Sequence, residues 1–267
     1  MYCSSDYQFQ RGYVMYKLTM AIAAAVGLFS ASQSLAAQEI EKTINLYFQH
    51  DPVPITEEGR SLHQSMLIMD WHTDTLLWKR DLLEKADYGH VDLPRLQIGN
   101  MGIQMFTTVT KSPKDQNYEE NKSEFEDTIE GLVKLNGWPK ETHTSLLARA
   151  LYQAQKLDQA IAKSNGALSW IKNQGDLAAF MKNRNVAVSA GNKPFPMAAM
   201  LGAEGAHPLE GNVENVQKMY DAGFRMMGLT HFFDNELGGS LHGVSKAGLT
   251  EFGRAVVRRM NDLNIII

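Results

Sequence analysis

Apolar residues along this chain gather into short β-favouring runs, several of which stop at chemically active polar residues. Leu67-Ile68-Met69 leads into Asp70-Trp71-His72-Thr73-Asp74, and Gly102-Ile103-Gln104-Met105-Phe106-Thr107-Thr108-Val109 is rich in β-formers. Met197 to Gly202 runs into Ala203-Glu204-Gly205-Ala206-His207, Phe224 to Leu229 runs into Thr230-His231, and Leu263-Asn264-Ile265-Ile266-Ile267 is the last such run. The pattern predicts strands near 66–71, 102–109, 198–204, 225–231 and 263–267.

Helical spacing fills the intervals. Ile129, Leu132 and Val133 recur at i, i+3 and i+4, and Leu146, Leu147, Leu151 and Leu157 mark a second helix beyond the Gly137-Trp138-Pro139 break. A short helix starts at Gly175-Asp176, with Asp176 near its N-cap, and ends at Met181. Others are expected over 213–222, closed by Gly223, and over 250–261. Residues 91–96 read as a turn entering a short helical segment. Residues 37–65, interrupted by Pro52 and Pro54, read as a leader helix and loop outside the main fold.

Strands alternating with helices imply a parallel sheet. Active residues placed repeatedly at strand C-termini are the habit of a TIM-type (β/α)8 barrel. His72 and Asp74 lie two apart, so a strand projects both from one side. An imidazole and a carboxylate held that way grip a divalent ion. Taken one at a time, His-x-Asp is common by chance, Glu204 fits a helix cap and His231 a packed histidine. Together, at successive strand ends, they favour a metal-centred hydrolase in which a carboxylate bridges two ions and a hydroxide attacks.

Composition narrows the classes further. The chain has 267 residues, 44% hydrophobic and 21% charged, with a formal net charge of −4, and no long basic run points to nucleic acid. The 14 methionines, among them Met197, Met200, Met226 and Met227, sit in apolar runs and read as core filler. Lys17, the apolar stretch 18–29 and Ser34-Leu35-Ala36-Ala37 form the n-region, h-region and small-residue cleavage site of a signal peptide. Cleavage is expected after Ala36, with Ala37 second; residues 1–14 read as an extension upstream of Met15. The apolar stretch is short for a span of about 20 residues. A periplasmic or secreted protein with no stable membrane span follows. The single cysteine, Cys3, would leave with the signal, so the mature chain has no disulfide and no thiol nucleophile.

Four separate motifs, in order and at matching spacing, resemble the membrane (renal) dipeptidase family of zinc metallopeptidases, and its bacterial secreted branch above all. They are Asp70-Trp71-His72-Thr73-Asp74, Ala203-Glu204-Gly205, Leu229-Thr230-His231-Phe232-Phe233-Asp234-Asn235 and Gly248-Leu249-Thr250-Glu251-Phe252-Gly253-Arg254. The resemblance covers residues 66–267. It implies a (β/α)8 barrel, two zinc ions, a dipeptide substrate and a homodimer. By position, His72 and Asp74 would bind one zinc and Glu204 would bridge both. His231 would be a substrate contact that polarises the scissile carbonyl, not a ligand. The bridging hydroxide would attack that carbonyl while the metals stabilise the oxyanion. His207 and His90 read as surface or loop histidines, His242 has no role to assign, and Asp234 and Asn235 are expected to shape the loop after His231.

The family pattern continues with an Asp-Leu-Ser-His motif carrying a ligand of the second zinc, then a further histidine ligand, a substrate-binding arginine and a late catalytic aspartate. None occurs here. The expectation is therefore a C-terminally truncated barrel, about five of eight βα units, inactive and poorly soluble on its own. Two rivals stay open. Another amidohydrolase-like metal hydrolase would more often carry His-x-His on the first strand. A non-catalytic exported binding protein would contain no zinc.

Overall fold

The structure is a computed structural model that describes residues 35–45 and 51–267. The predicted signal n- and h-regions, the upstream extension and Cys3 lie outside the described residues. Two helices lead in: α1 (residues 35–44) and α2 (Glu57–Ser65). Thr56 caps α2 by accepting from the Gly59 amide, and Glu57 and Glu58 favour its positive end. α2 buries no side chain. α1 is tied down by Glu41, a buried carboxylate ion-paired with Arg80.

The main fold runs β1 (Ile68–Asp70), α3 (Leu93–Ile98), β2 (Met101–Thr108), α4 (Thr128–Leu135), α5 (Leu146–Lys163), β3 (Leu168–Trp170), α6 (Gln174–Ala190), β4 (Met197–Ala203), α7 (Glu214–Asp221), β5 (Phe224–Met227) and α8 (Glu251–Asp262). Polar caps set the helix starts. Asp92, Asp127, Ser145, Asn173 and Thr250 each accept an amide of the first turn.

All pairings among these strands are parallel, as the alternation of strands and helices predicts. β2 lies between β1 and β4. The other side of β4 is shared: β3 pairs with its first half, Met197 to Ala199, and β5 with its second, Leu201 to Ala203. As expected of an incomplete barrel, the sheet is not closed into a ring among the described residues; it is open, with β1 at one edge.

Three boundaries differ from the sequence reading. β3 was not expected, because Leu168-Ser169-Trp170 is too short for alternation to register. The run 263–267 is not a full strand. Leu263 caps α8 and Asn264 turns left-handed at φ 56°, leaving Ile266 a single parallel bridge to Met226. α6 runs nine residues past Met181, to Ala190, and its N-cap is Asn173; Asp176 sits in the first turn, accepting the Lys172 amide at 2.8 Å.

The core lies between the sheet and its helices. Phe106, Leu157, Leu201, Met219 and Phe224 are fully buried, each contributing about 1.5–3 kcal/mol by leaving water. Met197 and Met227 are buried with them, as core filler. Two buried arginines fasten the sheet to its surroundings. Arg184 on α6 donates to the carbonyls of Asn100, Met101 and Pro196, gathering the N-terminal ends of β2 and β4. Arg149 on α5 ion-pairs with Asp127 and donates to the Thr110 and Thr142 carbonyls, fixing the loop that leaves β2.

Candidate metal centre

At the C-terminal edge of the sheet the chain leaves β1 still in register with β2, since the Thr107 amide donates to the Thr73 carbonyl at 2.8 Å. Asp70 anchors this exit: it accepts from Gln104 Nε2 at 2.7 Å and from the His72 amide at 3.4 Å. His72 and Asp74 then turn together, as their spacing predicts, with Nε2 and Oδ2 3.2 Å apart. The buried Thr107 hydroxyl donates to Asp74 Oδ1 at 2.6 Å. One carboxylate oxygen is thereby fixed on β2 and the other is left facing His72.

Glu204 is the first residue past β4, its amide donating to the Thr108 carbonyl at 3.1 Å. His231 lies four residues past β5. Glu204 gives a different oxygen to each imidazole: Oε2 is 3.5 Å from His72 Nε2, and Oε1 is 2.9 Å from His231 Nε2. All four expected site residues therefore meet. His72, Asp74 and Glu204 each offer one ligand atom, and these three lie within 4.8 Å of one another.

The electrostatics favour a cation here. Hydrogen bonds to Asp74 and then to Glu204 raise the His72 imidazole from its ordinary 6.5 to about 10, against its partial burial. Burial alone would raise the Glu204 carboxyl, but hydrogen bonds from His231 and His72 outweigh it and pull it down to about 2. One nitrogen and two carboxylate oxygens around a point that attracts positive charge is a donor set suited to a borderline divalent ion such as zinc. The residues fit the ion.

Several neighbours carry no sequence signal of their own. Thr107 reads as an ordinary β-former in an apolar run, yet it holds Asp74. His207 is not at the surface: its side chain is buried in the turn His207–Leu209 and stacks on Phe233 with ring centroids 4.1 Å apart. It was misread because nothing local shows that Phe233 folds over it. His242 stacks on Phe232 at 4.9 Å, and Tyr118 packs against both rings, so an aromatic wall stands beside His231. Asp234 and Asn235 do shape that loop. Asp234 accepts the amides of Ser240 and Ser245, each at 2.8 Å, and Asn235 spans the Leu229 carbonyl and the Leu237 amide. His90 lies in a loop, as expected, and is exposed.

A cavity of about 320 Å³ opens beside Asp74, between Thr73, His90 and Val109. A larger cavity, about 870 Å³, lies at the opposite, N-terminal end of the strands among Arg60, His63, Asn100 and Phe195. It contains no carboxylate, whereas the candidate ligand Asp74 lines the smaller opening.

The family model described as membrane dipeptidase, peptidase family M19, matches residues 56–267. The curated protein Dipeptidase aclJ of Aspergillus oryzae is 23% identical over 233 residues, covering 78% of this chain and 47% of that protein. Crystal structures give the same picture at the level of the fold. Dipeptidase AC, an M19 metallopeptidase, is 20% identical with a TM-score of 0.51, covering 76% of this chain and 55% of that one. A Rhodobacter sphaeroides metallopeptidase, liganded with a phosphinate mimic of the dipeptide L-Ala-D-Ala, is 18% identical with a TM-score of 0.51, covering 75% and 57%. The probable dipeptidase PvdM of Pseudomonas aeruginosa is 17% identical with a TM-score of 0.52, covering 78% and 47%. The chain spans about half the length of the relatives it matches.

Proposed function

Because the chain belongs to the membrane dipeptidase family M19, we propose that it carries the metal site of a zinc-dependent dipeptidase. In this reading His72, Asp74 and Glu204 hold a divalent ion, Glu204 bridges toward a second, and His231 faces the substrate. The observation that carries the proposal is the convergence of three ligand atoms within 4.8 Å at the ends of β1 and β4, with His231 on the remaining oxygen of Glu204.

When bound, zinc supplies Lewis acidity toward the scissile carbonyl and lowers the pKa of water. The chain's own groups do the rest. Thr107 orients Asp74, so that Oδ2 serves as a ligand without rotation. To hold the ion His72 would have to be in its neutral form, since only the neutral ring coordinates. Glu204 stays ionised, its two oxygens already spread between two partners. His231 presents Nε2–H, which now donates to Glu204 and in the complex turns to the oxygen that gains negative charge. Tyr118, Phe232 and His242 pack their rings together on that side of His231. The ligand carried by the Rhodobacter structure supports a dipeptide with a D-residue in second place.

Export completes the proposal, with a signal peptide over residues 1–36. No helix among the described residues is long and apolar enough to cross a membrane.

Calorimetric titration with zinc, then with a phosphinate dipeptide mimic, tests the reading. Zinc affinity is expected to fall tenfold or more in Asp74→Ala, and the mimic is expected to bind only the zinc-loaded protein. Zinc binding unchanged in Asp74→Ala, or mimic binding that ignores zinc, overturns it. In the same samples, turnover of Gly-D-Ala would extend the reading from the metal site to catalysis.

A further inference from the structure

Helix α2 lies at the N-terminal end of the strands without burying a side chain. Its C-terminal end is tied to the turn before β2: Asn100 Nδ2 donates to the His63 carbonyl at 2.8 Å, and His63 Nε2 lies 3.1 Å from the Gly99 carbonyl. Between the helix and the strand ends is the hollow of about 870 Å³. That size suits a small-molecule site, which ordinarily spans about 300–1,000 Å³. The lining is mixed in the way such sites are. Ile55, Pro94, Ile98, Pro194 and Phe195 supply apolar surface, while Gln64, Gln97 and Asn100 supply amides.

The charge around the hollow is of one sign. Arg60 and Lys193 line it and no carboxylate does. Arg60 is shared, since its Nε lies 3.6 Å from Glu57 Oε1. Lys193 has no ion pair among the described residues, and its Nζ rests 5.7 Å from the centre of the Phe195 ring. A third cation stands behind the wall. Arg184 is buried, donates to Asn100 Oδ1 at 2.9 Å and holds its guanidinium 5.6 Å from the Phe195 ring centre. Its other acceptors, the carbonyls of Asn100, Met101 and Pro196, are neutral, and no carboxylate pairs with it among the described residues. Burial lowers its pKa, and no neighbouring acid raises it again. A buried charge without a counter-ion is costly. Asn100 and Phe195, which Arg184 touches, are themselves part of the lining, so an anion in the hollow would meet positive charge from three residues.

We propose that this hollow binds a small amphiphilic carboxylate. The carboxylate takes the unshared charge of Lys193, with Arg60 and the field of Arg184 in support, and the apolar body lies on Ile55, Pro94, Ile98 and Pro194. A monoanion fits better than a dianionic phosphate, because only one of the two rim cations is free of a partner. Burial of the body supplies affinity and the cations supply selection. The hollow is at the opposite end of the strands from His72 and Asp74, so binding here is independent of the metal reading.

Calorimetric titration of the full chain with octanoate, in the presence of a chelator and in parallel with octanol and octyltrimethylammonium, tests it. Octanoate is expected to bind with sub-millimolar affinity, at least tenfold tighter than the uncharged and cationic analogues. Ile98 is 77% exposed, so Ile98→Asp should leave the fold intact while the carboxylate it adds weakens octanoate tenfold or more. Lys193→Gln should weaken octanoate several-fold and leave octanol unchanged. Asp74→Ala should bind octanoate as wild type does, which separates the hollow from the metal centre. Absence of octanoate binding, equal affinity for the three probes, or octanoate affinity unchanged in both hollow variants overturns the proposal. So does light scattering that finds a dimer in wild type and a monomer in Ile98→Asp, since the occupant of the hollow would then be a second copy of the chain.

Discussion

Glu204 sits between two imidazoles and uses a different oxygen for each, which no substitution by glutamine reproduces, since one oxygen would become a donor. The same economy of partners explains why some of the site was legible in the sequence. His72 and Asp74 are two residues apart, and local alternation is enough to bring them together. Thr107 and His207 are not legible, because their roles arise only when β2 lies beside the exit of β1 and when Phe233 folds over the turn after β4. His207 also carries a pH consequence. Its folded pKa, about 3, is below the ordinary 6.5, so the unfolded chain binds more protons throughout that window. Stability from the neutral ring is fully present above pH 6.5 and is lost as pH falls toward 3. Between pH 7 and 5 the loss should be on the order of 2 kcal/mol. Urea unfolding of wild type and His207→Gln across that range is the check, and equal slopes with pH would exclude the effect.

At the scale of elements, α8 shows what a motif means physically. The stretch Gly248 to Arg254 carries a family likeness and opens a helix expected from spacing over 250–261. In the structure the Thr250 amide donates to the Leu237 carbonyl at 2.9 Å, while the Thr250 hydroxyl donates to the Glu236 carbonyl at 2.6 Å and caps the Gly253 amide. A Cβ on Gly253 would fall 2.1 Å from the Leu237 oxygen. The helix start therefore lies flat on the backbone of the loop that follows His231. Helix propensity alone says Gly253→Ala should stabilise by about 1 kcal/mol. The contact says the reverse, a net loss of about 1–3 kcal/mol as the loop is pushed away. Thermal unfolding gives the sign, and a raised midpoint would show that the close approach is absent. The elements the sequence misplaced failed for equally concrete reasons. β3 has three residues, too few for a period. The far half of α6 is polar at Lys182-Asn183-Arg184-Asn185, and looks like a loop until Arg184 is seen turning inward onto the strand ends.

For the whole molecule, strand–helix alternation was enough to foretell a parallel sheet, and the open edge at β1 fits the incomplete barrel expected of about five βα units. The candidate ligands do not sit on neighbouring strands: His72 and Asp74 follow β1 and Glu204 follows β4, with β2 between them. An ion at this point would cross-link an edge strand, β1, to the centre of the sheet, over the Thr107 hydroxyl. Without metal, the His72 imidazolium offsets part of the charge of the two carboxylates, so the metal-free fold should persist but unfold earlier. A ligand that binds only the folded state stabilises by about 2.7 kcal/mol at a hundredfold excess over Kd. For a domain of this size each kcal/mol is worth about 2–4 °C. Zinc at that excess should therefore raise Tm by roughly 5–10 °C, and a chelator should return it to the metal-free value. Asp74→Ala should abolish the shift while keeping a cooperative transition. A chain whose Tm ignores both zinc and chelator, with wild type and Asp74→Ala superimposed, would mean that these strand ends hold no ion.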